Sequence, residues 1–287
     1  MNISNKLSDI PKIHSYINKQ EIKDLENKLK SRQRAFLLTD KYFIKVGTAK
    51  EKEFHSSLLN EIKIYKFLCS DILHTPKLVD YFQNERYVLL ILERITGSAL
   101  GASRNDFTIQ QNIDSKDILK EIKKIGKLKE YPEDINVLNR DSKLEKYFQV
   151  IYKKLDTKTR QNTERLIGTL NQNVKLVFSH GDLIPPNIIK KGELYYIIDW
   201  EWAGLRPDSY DTALFMLFSG SPLQRLSQFD KLDSCRDRME LYRDVILIAS
   251  REIKNWLEVK DFPVQEKYIK LWSDTLKEAQ TRLLLHQ

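Results

Sequence analysis

Two short irregular stretches, each delivered by an apolar strand, constrain this chain more than anything else in it. The first is Phe178-Ser179-His180-Gly181-Asp182-Leu183-Ile184-Pro185-Pro186-Asn187, and the second is Ile197-Ile198-Asp199-Trp200-Glu201. Lys175 to Phe178 reads as a strand leading into the first. Ile188-Ile189 and Leu194 to Ile198, separated by Lys190-Lys191-Gly192-Glu193, read as a hairpin whose second strand delivers Asp199. Pro185 and Pro186 fix their own φ angles, and Pro186 pushes Pro185 towards extended backbone, so the loop carrying Asn187 is stiff. The fold must therefore set a short strand, a rigid loop and a hairpin in succession, with two carboxylates and an amide at their ends.

Those three side chains suit phosphoryl transfer, in which a protein contributes mainly positioning and charge neutralisation. Asp182 is placed to orient or deprotonate an attacking hydroxyl. Asn187 and Asp199 offer hard oxygen ligands to a Mg²⁺ ion carrying nucleotide phosphates. Taken singly, each reads as a turn or capping residue; their order and separation favour the chemical reading. A cation on the phosphates is also required, and Lys45 in the apolar run Tyr42-Phe43-Ile44-Lys45-Val46 is the candidate. A lysine there either snorkels from a sheet edge or points into a cleft. The following helix carries Glu61 beside its apolar stripe, and a strand lysine paired with it would hold the ammonium near the α- and β-phosphates. Glu53 competes as the partner, and Lys41 as the lysine.

Periodicity organises the rest. Ile22, Leu25 and Leu29 mark a helix over 20–30, and Phe54, Leu58, Ile62, Tyr65 and Cys69 mark another over 52–69. Residues 36–39, 42–46, 78–82 and 87–93 read as strands, so the first 93 residues form a small sheet with one helix inserted. Gly97 to Asn112 is polar and reads as a flexible connection. The boundary is placed near Arg94 to Gly97, giving an N-terminal lobe over 1–95 and a mainly helical C-terminal lobe over 96–287. Beyond it, Ile118 to Leu128, Leu144 to Leu155, Thr159 to Leu170, Asp211 to Phe218, 237–257 and 264–285 read as helices.

Composition narrows the class. The chain has 287 residues, 41% hydrophobic and 31% charged, with a net charge of +8. A chain of this size buries roughly three quarters of its unfolded surface. Lysines are dispersed rather than interleaved with aromatics, so the basic balance reads as a solvated surface and not a nucleic-acid groove. Two cysteines, Cys69 and Cys235, point to a reducing compartment, and the five histidines lack zinc-ligand spacing. No apolar run approaches a membrane span and the start lacks an apolar signal region, so a cytoplasmic protein is expected.

The constellation resembles the aminoglycoside phosphotransferase and choline kinase family. The residues that carry the resemblance are Lys45, Glu61-x-x-x-Tyr65-x-x-Leu68, His180-Gly181-Asp182-Leu183-x-Pro185-x-Asn187, Ile198-Asp199-Trp200-Glu201-x-Ala203-Gly204 and Tyr210-Asp211-Thr212-Ala213. It implies an α+β, two-lobe protein-kinase-like fold, with the nucleotide in the cleft near Glu93 to Ile95. It implies transfer of the γ-phosphate of ATP or GTP to a small-molecule hydroxyl, with Asp182 as base and Asn187 and Asp199 as metal ligands. His180 would orient the loop, and Asp211 would support the metal-binding loop. The chain departs from the family pattern in having no glycine between residues 21 and 46. Ser31 to Arg34 takes the place of the phosphate-covering loop, with Arg32 and Arg34 as candidate phosphate contacts. Glu201 adds a carboxylate that either pairs with a basic residue or supports the metal.

The acceptor is the least constrained part. Asp230, Asp233, Asp237, Glu240, Asp244 and Glu252 would suit a polycation, but Arg225, Lys231, Arg236, Arg238, Arg243 and Arg251 are interleaved with them, which reads as a salt-bridged exposed helix face. Trp200, Trp202 and Tyr210 form either an aromatic cage for a quaternary ammonium or part of the core. A non-catalytic nucleotide-binding protein on the same fold, or a protein kinase, are the alternatives. His-Gly-Asp in place of His-Arg-Asp, and no Ala-Pro-Glu segment after Asp199, count against the latter.

Overall fold

The computed structural model describes residues 6–31, 34–49, 52–68, 73–107, 109, 115–171, 174–230, 235–259 and 262–285. Arg32, Cys69, Lys231, Asp233 and His286 lie outside the described residues, as do the side chains of Ser31, Glu53, Phe54, Cys235 and Arg236. The chain divides into two compact units, one of residues 1–98, 130–133 and 189–203, the other of 99–129, 134–188 and 204–287. Among the described residues no helix is long and apolar enough to cross a membrane.

The first unit is built on an antiparallel sheet of order β1-β2-β4-β3, from β1 (Arg34–Leu38), β2 (Tyr42–Thr48), β3 (Leu78–Gln83) and β4 (Tyr87–Glu93). Lys45 pairs with Phe36 on one side and Leu90 on the other, so its strand is not an edge. One face is covered by α1 (Lys19–Ser31), whose Ile22 and Leu25 join Ala35, Ile44, Val46, Leu89 and Ile91 in one core. Asn18 starts that helix: its Oδ1 accepts from the Gln20 and Glu21 amides, and Glu21 Oε2 accepts from the Asn18 amide. This reciprocal cap satisfies the orphan donors of the first turn. After β2 comes α2 (Lys52–Phe67), burying Leu58, Ile62 and Tyr65 as its spacing predicts, together with Glu61.

The second unit is mainly helical. After the two-residue strand β5 (Ser98–Ala99) come α3 (Ser115–Ile125), α4 (Arg140–Ile151) and α5 (Thr157–Leu166). β6 (Leu176–Ser179) leads into the first motif, and the hairpin of β7 (Ile188–Lys191) and β8 (Leu194–Ile197) that follows belongs, from residue 189 on, to the first unit. Two elements carry no clear periodic signal. β9 (Gly204–Pro207) pairs antiparallel with β6, and α7 (Pro222–Phe229) follows α6 (Tyr210–Phe218). α8 (Cys235–Glu258) and α9 (Gln265–Leu285) pack together, and their Tyr242, Val245, Ile246, Trp272 and Leu276 form one core with Leu144, Phe148, Leu214 and Phe218.

Residues 99–107, expected to be flexible, are pinned. The Leu100 amide donates to Ile188 O at 2.9 Å, and a Cβ on Gly101 would lie 2.9 Å from the Pro185 ring. Phe107 packs against Phe218, Tyr268 and Trp272, and Tyr268 donates to Asn105 O. The aromatic residues near the second motif divide as core would: Trp200 and Tyr210 are buried in different units, and only Trp202 is exposed.

Two acids of α8, Asp244 and Glu252, are buried and not on a solvated face. Arg140 is fully buried, with its Nε 2.9 Å from Asp244 Oδ1 and its Nη2 2.9 Å from Glu240 Oε2, and it donates to Leu170 O. Ser209 Oγ donates to Asp244 Oδ2 at 2.5 Å. Burial pushes the Asp244 carboxyl up to about 6, against the Arg140 guanidinium that holds it down. Removing one partner of a buried pair leaves the other charge uncompensated. Asp244→Ala is therefore expected to lower the unfolding free energy by about 3–5 kcal/mol. Urea unfolding checks this, with the midpoint falling at unchanged slope; an unchanged midpoint would remove the pair from the account of stability.

Candidate functional site

In the first unit, three residues from three elements meet at one ammonium. Lys45 on β2 donates from Nζ to both Glu61 oxygens on α2 at 2.8 Å, and to Asp199 Oδ1 at 2.6 Å. Burial works against the Lys45 charge, but Glu61 and then Asp199 outweigh it, and its pKa rises. Glu61 is wholly buried and is pushed up to about 7 by that burial, with Lys45 holding it down and Asp199 adding to the rise. The competing lysine, Lys41, lies in the β1–β2 turn.

Asp199, two residues beyond the hairpin strand, has left-handed backbone, φ 69°, ψ 60°, and is the one non-glycine residue with positive φ among the described residues. The turn after it is tied to α2: Asn60 Nδ2 donates to Glu201 O at 2.9 Å and Ala203 O at 3.4 Å, and Ser57 Oγ donates to Glu201 Oε2 at 3.3 Å. Arg34 Nη1 lies 3.7 Å from Glu201 Oε2, the basic partner that one reading of Glu201 requires. Burial and then Asp199 raise the Glu201 carboxyl. Oxygens of Glu61, Asp199 and Glu201 lie within 4.8 Å of one another. Three carboxylates face two cations here, and a set of hard oxygens with excess negative charge fits a hard divalent ion. Glu93 and Ile95, half-buried, lie at the end of β4 and just beyond it, and Glu93 is in register with Tyr42.

In the second unit, the first motif forms a braced loop. Gly181 adopts φ 82°, which a residue with a Cβ rarely takes. Asp211, at the start of α6, accepts from the His180 amide at 2.7 Å and the Gly181 amide at 2.9 Å, so within this unit it braces the loop carrying Asp182. His180 is fully buried, and its Nδ1 lies 3.3 Å from the Asp182 amide. Asn187 Nδ2 donates to Asp182 O at 2.8 Å, closing the loop across the two prolines.

Asp182 also has partners that motif reading misses. Arg104 Nη1 donates to its two oxygens at 2.8 and 2.9 Å. The other two nitrogens of Arg104 go to Glu252, Nη2 to Oε1 at 2.8 Å and Nε to Oε2 at 3.3 Å. Arg251 Nε donates to Glu252 Oε1 at 3.0 Å, and its Nη1 donates to the Tyr210 hydroxyl at 3.2 Å. Burial would raise the Glu252 carboxyl, but Arg104 and Arg251 outweigh it and hold the group below its ordinary value. Arg104 stands in a polar, Ser- and Asn-rich stretch with no periodic pattern, so nothing local in the sequence marks it.

Residues 26–242 match the sequence model of a family described as phosphotransferase enzyme family. Among solved structures, the GDP complex of wild-type aminoglycoside 2'-phosphotransferase-IIIa is 15% identical, covering 88% of this chain and 90% of that one, with a TM-score of 0.61. A choline/ethanolamine kinase family protein from Mesorhizobium loti is 12% identical over 88% of each chain, with a TM-score of 0.60. A thermostable mutant of aminoglycoside phosphotransferase APH(4)-Ia, in ternary complex with ADP and hygromycin B, is 12% identical over 91% and 97%, with a TM-score of 0.53. At such identities the likeness is one of fold, and the fold is kinase-like. A Crh-like protein of Arthroderma benhamiae is 26% identical over 133 residues, 42% of this chain and 36% of that protein. The match thus spans about a third of the length of that curated relative.

A carboxylate whose pKa is depressed on folding contributes stability above its unfolded pKa, and loses it as pH falls through the folded value. Glu252→Gln is accordingly expected to melt below wild type at neutral pH, with the gap narrowing as pH drops below the ordinary value of 4.5. Thermal unfolding across that range checks it; a gap of constant size would show that the charge is not its cause.

Proposed function

The chain belongs to the phosphotransferase enzyme family, and from that premise we propose that it is a Mg²⁺-dependent small-molecule kinase, moving the γ-phosphate of ATP or GTP to a hydroxyl of a small acceptor. The observation that carries this reading is the Lys45 ammonium held at once by Glu61 and Asp199. A ligand-binding fold has no need to bury a lysine between two carboxylates, whereas a kinase needs a cation set rigidly against the α- and β-phosphates.

In this reading residues 1–95 bind the nucleotide, with Glu93 and Ile95 beside its base. Residues 96–287 carry the catalytic and metal loops and the acceptor site. Asn187 and Asp199 would hold Mg²⁺, which when bound neutralises charge on the phosphate oxygens. Asp182 accepts the hydrogen bond of the acceptor hydroxyl and takes its proton as the oxygen attacks the γ-phosphorus. The bond from that phosphorus to the bridging oxygen breaks, and the bridging oxygen leaves on the nucleoside diphosphate. GDP and ADP in the neighbouring structures support a purine nucleotide. Acceptors of the aminoglycoside, amino alcohol or sugar class all present the required hydroxyl. A polycation is the least favoured of these, because Glu240, Asp244 and Glu252 are already engaged by arginine. Two cysteines in 287 residues suit a reducing compartment such as the cytoplasm.

The test is release of ADP or GDP from the purified protein with Mg·ATP or Mg·GTP, across panels of aminoglycosides, amino alcohols, sugars and hydroxy acids. On the acceptor so found, Asp182→Asn is expected to lower kcat by about 10²–10⁴-fold, with nucleotide affinity by calorimetry unchanged. Full turnover by that variant would reject Asp182 as the base, and no binding of either nucleotide would reject the kinase reading altogether.

A further inference from the structure

The carboxylate assigned to the hydroxyl is the middle of a chain of contacts, not its end. Arg104 spends one nitrogen on both oxygens of Asp182 and its other two on Glu252. A single donor spanning two carboxylate oxygens occupies the lone pairs that face each other and leaves those that point away. It thereby fixes where the carboxylate sits and which of its lone pairs stay open to the hydroxyl. Arg104 itself has little freedom. Its guanidinium lies 4.8 Å above the Phe218 ring, and Phe107, three residues on, is wedged among Phe218, Tyr268 and Trp272. Glu252 is buried, and its Oε1 accepts from Arg251 Nε as well as from Arg104. Two cations and two carboxylates make a neutral set, so the half-buried charge of the base is compensated by its neighbours.

We propose that Arg104 is a positioning residue for Asp182, held by Glu252 and Arg251, and that it restricts the acceptor hydroxyl to the carboxylate lone pairs that point away from the guanidinium. The proposal rests on the reading of Asp182 as the group that orients that hydroxyl. The same distances would describe an arginine that merely plugs the base, and the two differ in the sign of their effect. A plug slows the reaction until it is removed, whereas a positioning residue slows it when removed.

The experiment is the kinetics of Arg104→Ala and Arg104→Lys on the acceptor identified by diphosphate release. Arg104→Ala is expected to lose about 10²-fold in kcat with the KM for nucleotide unchanged, and added guanidinium ion, below denaturing concentration, is expected to restore part of the loss. Arg104→Lys keeps the charge but not the planar fork, and an intermediate loss of about 10-fold is expected. Thermal melts of all three proteins run alongside. Wild-type or faster turnover by Arg104→Ala would overturn the proposal, the faster case identifying a plug. A loss that tracks a lowered melting point and ignores guanidinium would also overturn it, leaving a structural role. A wild type that releases no diphosphate with any acceptor rejects the kinase reading and this proposal with it, whereas an active wild type with an unaffected variant rejects this proposal alone.

Discussion

The interaction on which the first unit depends is the buried ion pair of Lys45 and Glu61, extended to Asp199. Taking an ammonium and a carboxylate out of water costs several kcal/mol each, and their attraction repays this only with good geometry and further hydrogen bonds. Here both Glu61 oxygens are used and Asp199 supplies a second partner. The pair therefore commits β2, α2 and the end of the hairpin to one arrangement. A hydrophobic trio in the same space would hold the elements together as well, but it would not leave a charged nitrogen beside an exposed carboxylate oxygen. The cost of burying charge is accepted where charge is the product.

The second unit meets the same problem with arginine. Arg140 is satisfied by Glu240, Asp244 and a backbone carbonyl, and Arg104 by Asp182 and Glu252. The planar fork makes this feasible, because several donors are ordered by fixing one group. The two networks differ in what they reach. The Arg140 network ends in the core, where it ties α4 to α8, while the Arg104 network ends at Asp182, in a loop already braced by Asp211 and by Asn187. Rigidity at that loop is thus assembled from three directions, none of which is the residues adjoining Asp182 in sequence.

That distance along the chain explains what the sequence made legible and what it hid. Strands with polar turns between them, and helices with an apolar stripe, are local patterns, and β1 to β4, α1, α2, α8 and α9 follow them closely. Glu61 could be singled out because a carboxylate beside an apolar stripe is itself a local anomaly. Arg104 offers no such anomaly: its partners are 78 and 148 residues away, and its own stretch looks like solvent-exposed linker. The acids of α8 were misleading for a related reason. Alternating charge on a helix reads as a solvated face, yet Asp244 and Glu252 are buried against arginines, one of which comes from another helix and one from a loop. β9 and α7 escaped because four residues of mixed character and an eight-residue helix carry too few periods to detect. Joining 189–203 to the first unit is likewise a property of packing, not of composition.

Asp199 shows where local preference and the demands of the site part company. Left-handed backbone costs an ordinary residue about 1–2 kcal/mol, and aspartate is among the few that visit it. A glycine would adopt the same angles freely but would remove the carboxylate that reaches Lys45. The strain is offset by the turn on its C-terminal side. Trp200 is fully buried with its Nε1 donating to Ile197 O, and Asn60 on α2 takes two carbonyls of the turn. The bulky indole and the amide together over-determine a conformation the aspartate would not hold by itself. Tryptophan after Asp199 therefore has a role in the turn. It is the weight that keeps the carboxylate turned towards the ammonium.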